Sequence, residues 1–189
     1  VNPVDKLEFG ALRRQEFRTY FQPSRVVIGV VPAPTESGLN AITLCFSMYC
    51  SYKPPMMAIA IQDCNESHSL IQRTDEYVLA VPGESMFRET MVCGRESVRD
   101  VDKVKTLGLE LIESRKVRVP GLKRAIANIE LVKRATIETG DHILVVGEVM
   151  RFGVNRMIRE QPLLSVGSNT AGYRVLAHEG IHRLAVVQD

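Results

Sequence analysis

The chain contains no tryptophan, no Cys-x-x-Cys pair and no glycine-rich dinucleotide fingerprint. It also has no apolar run of the roughly 18 to 20 residues that a bilayer-spanning helix needs. Each absence removes a class of protein. Gly29, Gly38 and Gly108 stand alone, so a Rossmann site is unsupported and any nicotinamide cofactor must dock transiently. The four cysteines, Cys45, Cys50, Cys64 and Cys93, lack metal-ligand spacing, which argues against structural zinc. Isolated thiols of this kind read as small buried hydrophobes in a reducing compartment. A formal net charge of +2 over 189 residues is too small to call for nucleic acid or a membrane as partner. The first 20 residues are too charged for a secretory signal, which makes the cytoplasm the expected location. Val1 stands where an initiator methionine would, so a short leader beyond it is expected.

With 45% hydrophobic residues, the chain can bury one sizeable core, and no linker or repeat divides it, so residues 1–189 are read as one domain. The strand signals outnumber the helical ones. Arg25 to Val31 is β-branched and stops at Pro32-x-Pro34; Glu36-Ser37-Gly38 is turn chemistry. Strands are then predicted over Ile42 to Cys50, Met56 to Ile61, Tyr77 to Val81, Ala125 to Arg134 and His142 to Phe152. Short helices are predicted from an N-cap at Ser67 to about Arg73, from Ser85 to Cys93-Gly94, and at Asp102-Lys103-Val104. The fold class expected is mainly β, a closed barrel with short peripheral helices.

One stretch, Asn40 to Ser69, combines a hydroxyl-rich strand, a Pro54-Pro55 turn and a helix start at Asn65-Glu66-Ser67-His68-Ser69. A helix N-terminus attracts anions, and backbone donors suit the polar edge of a ring. On the local sequence alone, Ser67 reads first as an N-cap, and Ser47 and Ser51 as ordinary strand polars.

The order of these segments resembles the flavin reductase-like, FMN-binding split-barrel family. The family pattern Asn-x-x-Thr, then Ser-x-x-Pro-Pro, is similar to Asn40-Ala41-Ile42-Thr43 and Ser51-Tyr52-Lys53-Pro54-Pro55. Ser67-His68-Ser69-Leu70-Ile71 resembles its phosphate-side segment, with serine where threonine is usual and Asn65 where an arginine or lysine often stands. Cys93-Gly94-x-x-Ser97-x-x-Asp100-Val101-Asp102-Lys103 looks like the version in flavoredoxins, and Gly140-Asp141-His142 with Val146-Gly147-Glu148-Val149 resembles the late strand.

The resemblance implies FMN as cofactor. Asn40, Ala41, Thr43 and the strand Ser47, Met48, Tyr49, Cys50 and Ser51 would face the flavin. Ser67, His68 and Ser69 would hold the phosphate, and Lys103 is either its charge partner or a surface lysine. His142 would either orient NADH or NADPH, as a transient donor, or simply cap its turn beside Asp141. No Ser/His/Asp or Cys/His signature is visible, and hydride transfer to a flavin needs none. An NAD(P)H-dependent flavin oxidoreductase is therefore expected. The alternatives are a flavoredoxin-like electron carrier with its own redox partner protein, and a split barrel that binds another ligand. The resemblance also implies a homodimer, with Tyr20, Tyr49, Tyr52, Phe46, Phe152 and Tyr173 as ring-wall, interface or core aromatics.

Overall fold

A computed structural model describes residues 21–180 and 182–188. The charged stretch 1–20, with Tyr20, lies outside the described residues.

Alternating and β-branched residues form the strands where the sequence predicts them. After the short β1 (Ser24–Arg25), β2 (Val27–Pro32) and β3 (Leu39–Leu44) make a hairpin. Its turn ends at Gly38, whose φ of 73° favours a residue without Cβ, and Ala33 N–H donates to the Gly38 carbonyl. The strand predicted over Ile42 to Cys50 is in fact two. The chain kinks at Cys45-Phe46 and resumes as β4 (Ser47–Tyr52), which turns at Lys53-Pro54 into β5 (Pro55–Gln62). The β-prone run Leu44-Cys45-Phe46 continues through the kink with no glycine or proline to mark it, so the local sequence does not reveal it.

Helix α1 (Glu66–Arg73) starts two residues earlier than expected. Its N-cap is Asn65, and Ser67 is inside the helix and buried. The strand β6 (Glu76–Val81) leads through a 3-10 turn at Glu84–Met86 into α2 (Phe87–Arg95). Cys93-Gly94 does not end that helix, which runs on through Arg95 without a left-handed glycine. The short α3 (Lys103–Thr106) is capped by Asp102, whose carboxylate accepts from Lys105 N–H. A small ribbon of β7 (Leu111–Ile112) and β8 (Gly121–Leu122) precedes the long hairpin of β9 (Ala127–Thr139) and β10 (His142–Val154). The chain finishes with β11 (Leu164–Ser165), β12 (Tyr173–Glu179) and β13 (His182–Val187).

Seven antiparallel strands form the main sheet in the order β3-β2-β6-β9-β10-β5-β4, and β1-β11-β13-β12 form a smaller one. The main sheet rolls around an apolar interior that includes Val27, Ile42, Ile59, Leu79, Ile129 and Val145. Burying each of the larger of these side chains stabilises the fold by about 2 kcal/mol. Leu70 and Ile71 of α1 join this interior where β5 ends and β10 begins. The opposite faces of β2, β3 and β6 bury Ile28, Ala41 and Val78 under α2, α3 and the following segment. The ladder does not close. β3 and β4 lie at its two ends, unpaired with each other among the described residues, so the barrel is split along that seam. No helix of the described chain is long and apolar enough to cross a membrane.

Candidate functional site

Two concavities flank the β3–β4 region. The first is a polar cleft of about 110 Å³ at the start of α1, lined among others by Ile42, Cys64, Asn65, Ser67, Ser97 and Lys103. Three segments far apart in sequence meet there: the end of β3, the β5–α1 junction and the stretch from α2 to α3.

Lys103 is the electrostatic centre of this cleft. It is 2% exposed, and its Nζ donates to the carbonyl oxygens of Glu96 at 3.0 Å and Cys93 at 3.4 Å. Neither acceptor is charged, and no carboxylate pairs with Lys103 among the described residues. Burial holds its ammonium below the ordinary lysine range, against the opposing pull of Cys93 and Glu96. A buried cation satisfied only by carbonyls, at the edge of a polar cleft, favours an anionic ligand.

The helix start is fixed from below. Asn40, fully buried on β3, donates through Nδ2 to Ser67 Oγ at 2.8 Å, while its Oδ1 has no partner among the described residues. Arg99 pairs with Glu66 in the first turn of α1 and holds that carboxyl below its usual range, with Ser69 Oγ adding a hydrogen bond at 3.1 Å. Ser69 is thus turned towards Glu66, and neither it nor His68 lines the cleft. Cys93 lines it, but burial pushes its thiol up to about 12, which leaves it inert.

Thr43 lines neither concavity. Its hydroxyl donates to the Thr90 carbonyl at 2.5 Å, and its side chain packs against Gly94, tying β3 to α2. Ala41 is buried on the same outer face. His142, at the start of β10, receives an Asp141 carboxylate oxygen 2.6 Å from Nδ1 and tilts against the exposed ring of Phe46, centroids 5.5 Å apart. The Asp63 N–H bonds the Asp141 carbonyl at 3.0 Å, so this pair sits beside the segment that carries Cys64 into the cleft. Cys50 is exposed in a bulge of β4, and Ser51 follows it at half burial.

The second concavity takes the remaining predicted residues. Ser47, Met48 and Tyr49 line an apolar cavity of about 560 Å³, together with Val27, Met57 and Phe152. The sequence-predicted residues are therefore dispersed: Ser67 and Lys103 meet in the polar cleft, Ser47 to Tyr49 at the apolar cavity, and His142 near Phe46. Missed in the sequence were Arg95, Ser97 and Cys64, all at the polar cleft. Their signal was the Cys93-to-Lys103 block, which brackets two of them.

The match to known proteins agrees with this architecture. The model of the flavin reductase like domain matches residues 20–173. An uncharacterised protein of Pyrococcus abyssi is 32% identical over 139 residues, 74% of this chain and 77% of that one. The fold is similar to that of flavoredoxin from Methanosarcina acetivorans, with a TM-score of 0.76, 18% identity and 97% and 93% of the two chains covered. It is also similar to an FMN-binding protein from Thermus thermophilus crystallised with p-hydroxybenzaldehyde, with a TM-score of 0.75, 18% identity and 97% and 98% covered. With a split barrel of this topology and a family match spanning most of its length, the chain belongs to the flavin reductase-like family.

Proposed function

We propose that the chain binds FMN and acts as an NAD(P)H-dependent flavin oxidoreductase. The observation that carries this reading is Lys103, a buried cation with only carbonyl partners beside the N-terminus of α1. The residues fit a phosphate monoester. Lys103 would supply the charge, and the first N–H groups of α1 and the Ser67 and Ser97 hydroxyls the hydrogen bonds, while Arg95, paired with Glu96 and Glu179, lines the rim. Asn40 keeps Ser67 in place beneath it. The ring would extend towards Phe46 and His142, whose neighbour Asp141 fixes the imidazole's orientation. Bound flavin supplies the redox chemistry, accepting hydride from the nicotinamide, while the protein orients and shields it.

A flavoredoxin-like carrier is the second reading, favoured by the Cys93-to-Lys103 block. The absorption spectrum of purified protein, before and after anaerobic NADH and then NADPH, tests both. Bleaching of bound flavin, and steady nucleotide consumption with free FMN in excess, supports the reductase. Bound flavin that neither nucleotide bleaches leaves the carrier. A colourless protein that does not take up FMN removes both.

A homodimer accompanies this reading. Tyr52 is 87% exposed beside the Pro54-Pro55 turn, and Phe46 is also uncovered on the β4 side, an arrangement a second copy would bury.

A further inference from the structure

The apolar cavity is not needed for the phosphate or for the Phe46–His142 pair. It opens where β2 and β9 begin and β6 and β10 end, at Val27, Ala127, Val81 and Val154. That is the barrel end remote from α1. Its volume of about 560 Å³ is that of a small-molecule site, and its walls are dominated by carbon.

Arg25 lines the cavity, and Arg156 and Arg159 lie on the segment that joins two of its lining residues, Val154 and Pro162. The side chains of these three arginines make no ion pair or hydrogen bond among the described residues, although most other arginines of the described chain are paired to carboxylates. The acid of that segment, Glu160, is already engaged, accepting from Ser85 N–H at 2.9 Å. The Ser47 hydroxyl on the cavity wall likewise has no protein partner among the described residues.

We infer that this barrel-mouth cavity is a second ligand site, for an organic anion with an apolar ring or short hydrocarbon body and a single carboxylate. The body would enter against Val27, Met57 and Phe152. The carboxylate would stay at the mouth, within the field of Arg25, Arg156 and Arg159, because guanidinium groups pair with carboxylates in a planar, two-pronged geometry. A neutral ligand of the same shape would leave these cations unpaired.

Equilibrium dialysis of the full chain against 2-naphthoate and, separately, the neutral 2-naphthamide tests the assignment. The carboxylate is expected to bind about tenfold more tightly than the amide. Arg25→Gln combined with Arg156→Gln is expected to erase that preference and leave amide binding unchanged. Val154→Trp, at an exposed lining position, is expected to weaken both ligands by filling the mouth. Three results overturn the inference: no binding of 2-naphthoate, equal binding of acid and amide, or an undiminished preference in the double variant. Displacement of 2-naphthoate by stoichiometric FMN also overturns it, by giving the cavity to the flavin ring. Failure of FMN to bind at all leaves the dialysis result standing, so the two proposals fail separately.

Discussion

The Nζ of Lys103 lies 3.0 Å from the carbonyl oxygen of Glu96, so a lysine on a four-residue helix is held inside the protein by the end of the preceding helix. Lys103 lines the polar cleft with no carboxylate in direct contact among the described residues, and Glu96 acts on it only at a distance. Hydrogen bonds to charged groups are worth about 1.5–3 kcal/mol. Lys103→Met is therefore expected to weaken FMN binding by at least about tenfold while leaving the fold intact, read by fluorescence quenching of the flavin. An unchanged affinity removes Lys103 from the site.

The same lysine gives a pH dependence. Burial lowers its folded-state pKa below the ordinary value, so between the folded and unfolded values the unfolded chain holds more protons. Stability of the ligand-free chain is thus expected to rise with pH across that alkaline window. A bound dianion favours the ammonium and takes up a proton there, so FMN affinity is expected to fall as pH rises through the folded value. Flavin titrations over an alkaline pH series check this; Lys103→Met should flatten the profile.

Beneath the helix start, Ser67→Ala strands the Nδ2 of Asn40, already without a partner for its Oδ1. An unsatisfied buried donor costs about 1–3 kcal/mol, and a loss of that size is expected in urea unfolding. The replacement Asn40→Ala with Ser67→Ala should lose less than the sum of the two single changes, because the pair shares one bond.

In the barrel interior, the Tyr77 hydroxyl is buried with no partner among the described residues, and burial raises its pKa. It stands over Gly147, where an added Cβ would overlap the hydroxyl oxygen and lie 2.9 Å from Cζ. Gly147→Ala is expected to destabilise by about 1–3 kcal/mol through overpacking. Tyr77→Phe is expected to leave stability unchanged or raise it by up to ~1 kcal/mol, since an unsatisfied hydroxyl is removed. Thermal unfolding of the two variants separates these outcomes; a large loss in Tyr77→Phe would show that the hydroxyl has a partner.

Tyr52→Glu places a charge on the face proposed to meet a second copy. Light scattering behind gel filtration is expected to give twice the chain mass for the parent protein and a shift towards the monomer for the variant. A monomeric parent at micromolar concentration rejects the homodimer.

Strand identities were legible in the sequence because β-branched runs, proline stops and turn residues act locally. The strands around Val27, Met56, Tyr77 and His142 fell within a few residues of their predicted bounds. The kink at Cys45-Phe46 was not legible. It separates two strands whose partners, β2 and β5, lie at distant places in the sequence, so only their pairing decides where one ends. Ser67 was misplaced as a cap for a similar reason: its hydroxyl is claimed by Asn40 from another strand rather than by its own helix. Thr43 read as a ligand-facing hydroxyl but is spent on the Thr90 carbonyl.

By itself, the sequence determined the mainly β class and the family, since alternation, turn chemistry and the order of short motifs are properties of neighbouring residues. Tertiary structure alone decided which side chains share a site. A strand presents alternate residues to opposite faces, so Ser47 and Tyr49 went to the barrel mouth, Thr43 to the underside of α2, and Asn40 to the support of Ser67. Lys103 acquired its significance the same way: only the packing of α3 against the end of α2 turned a surface-type residue into a buried, unpaired cation.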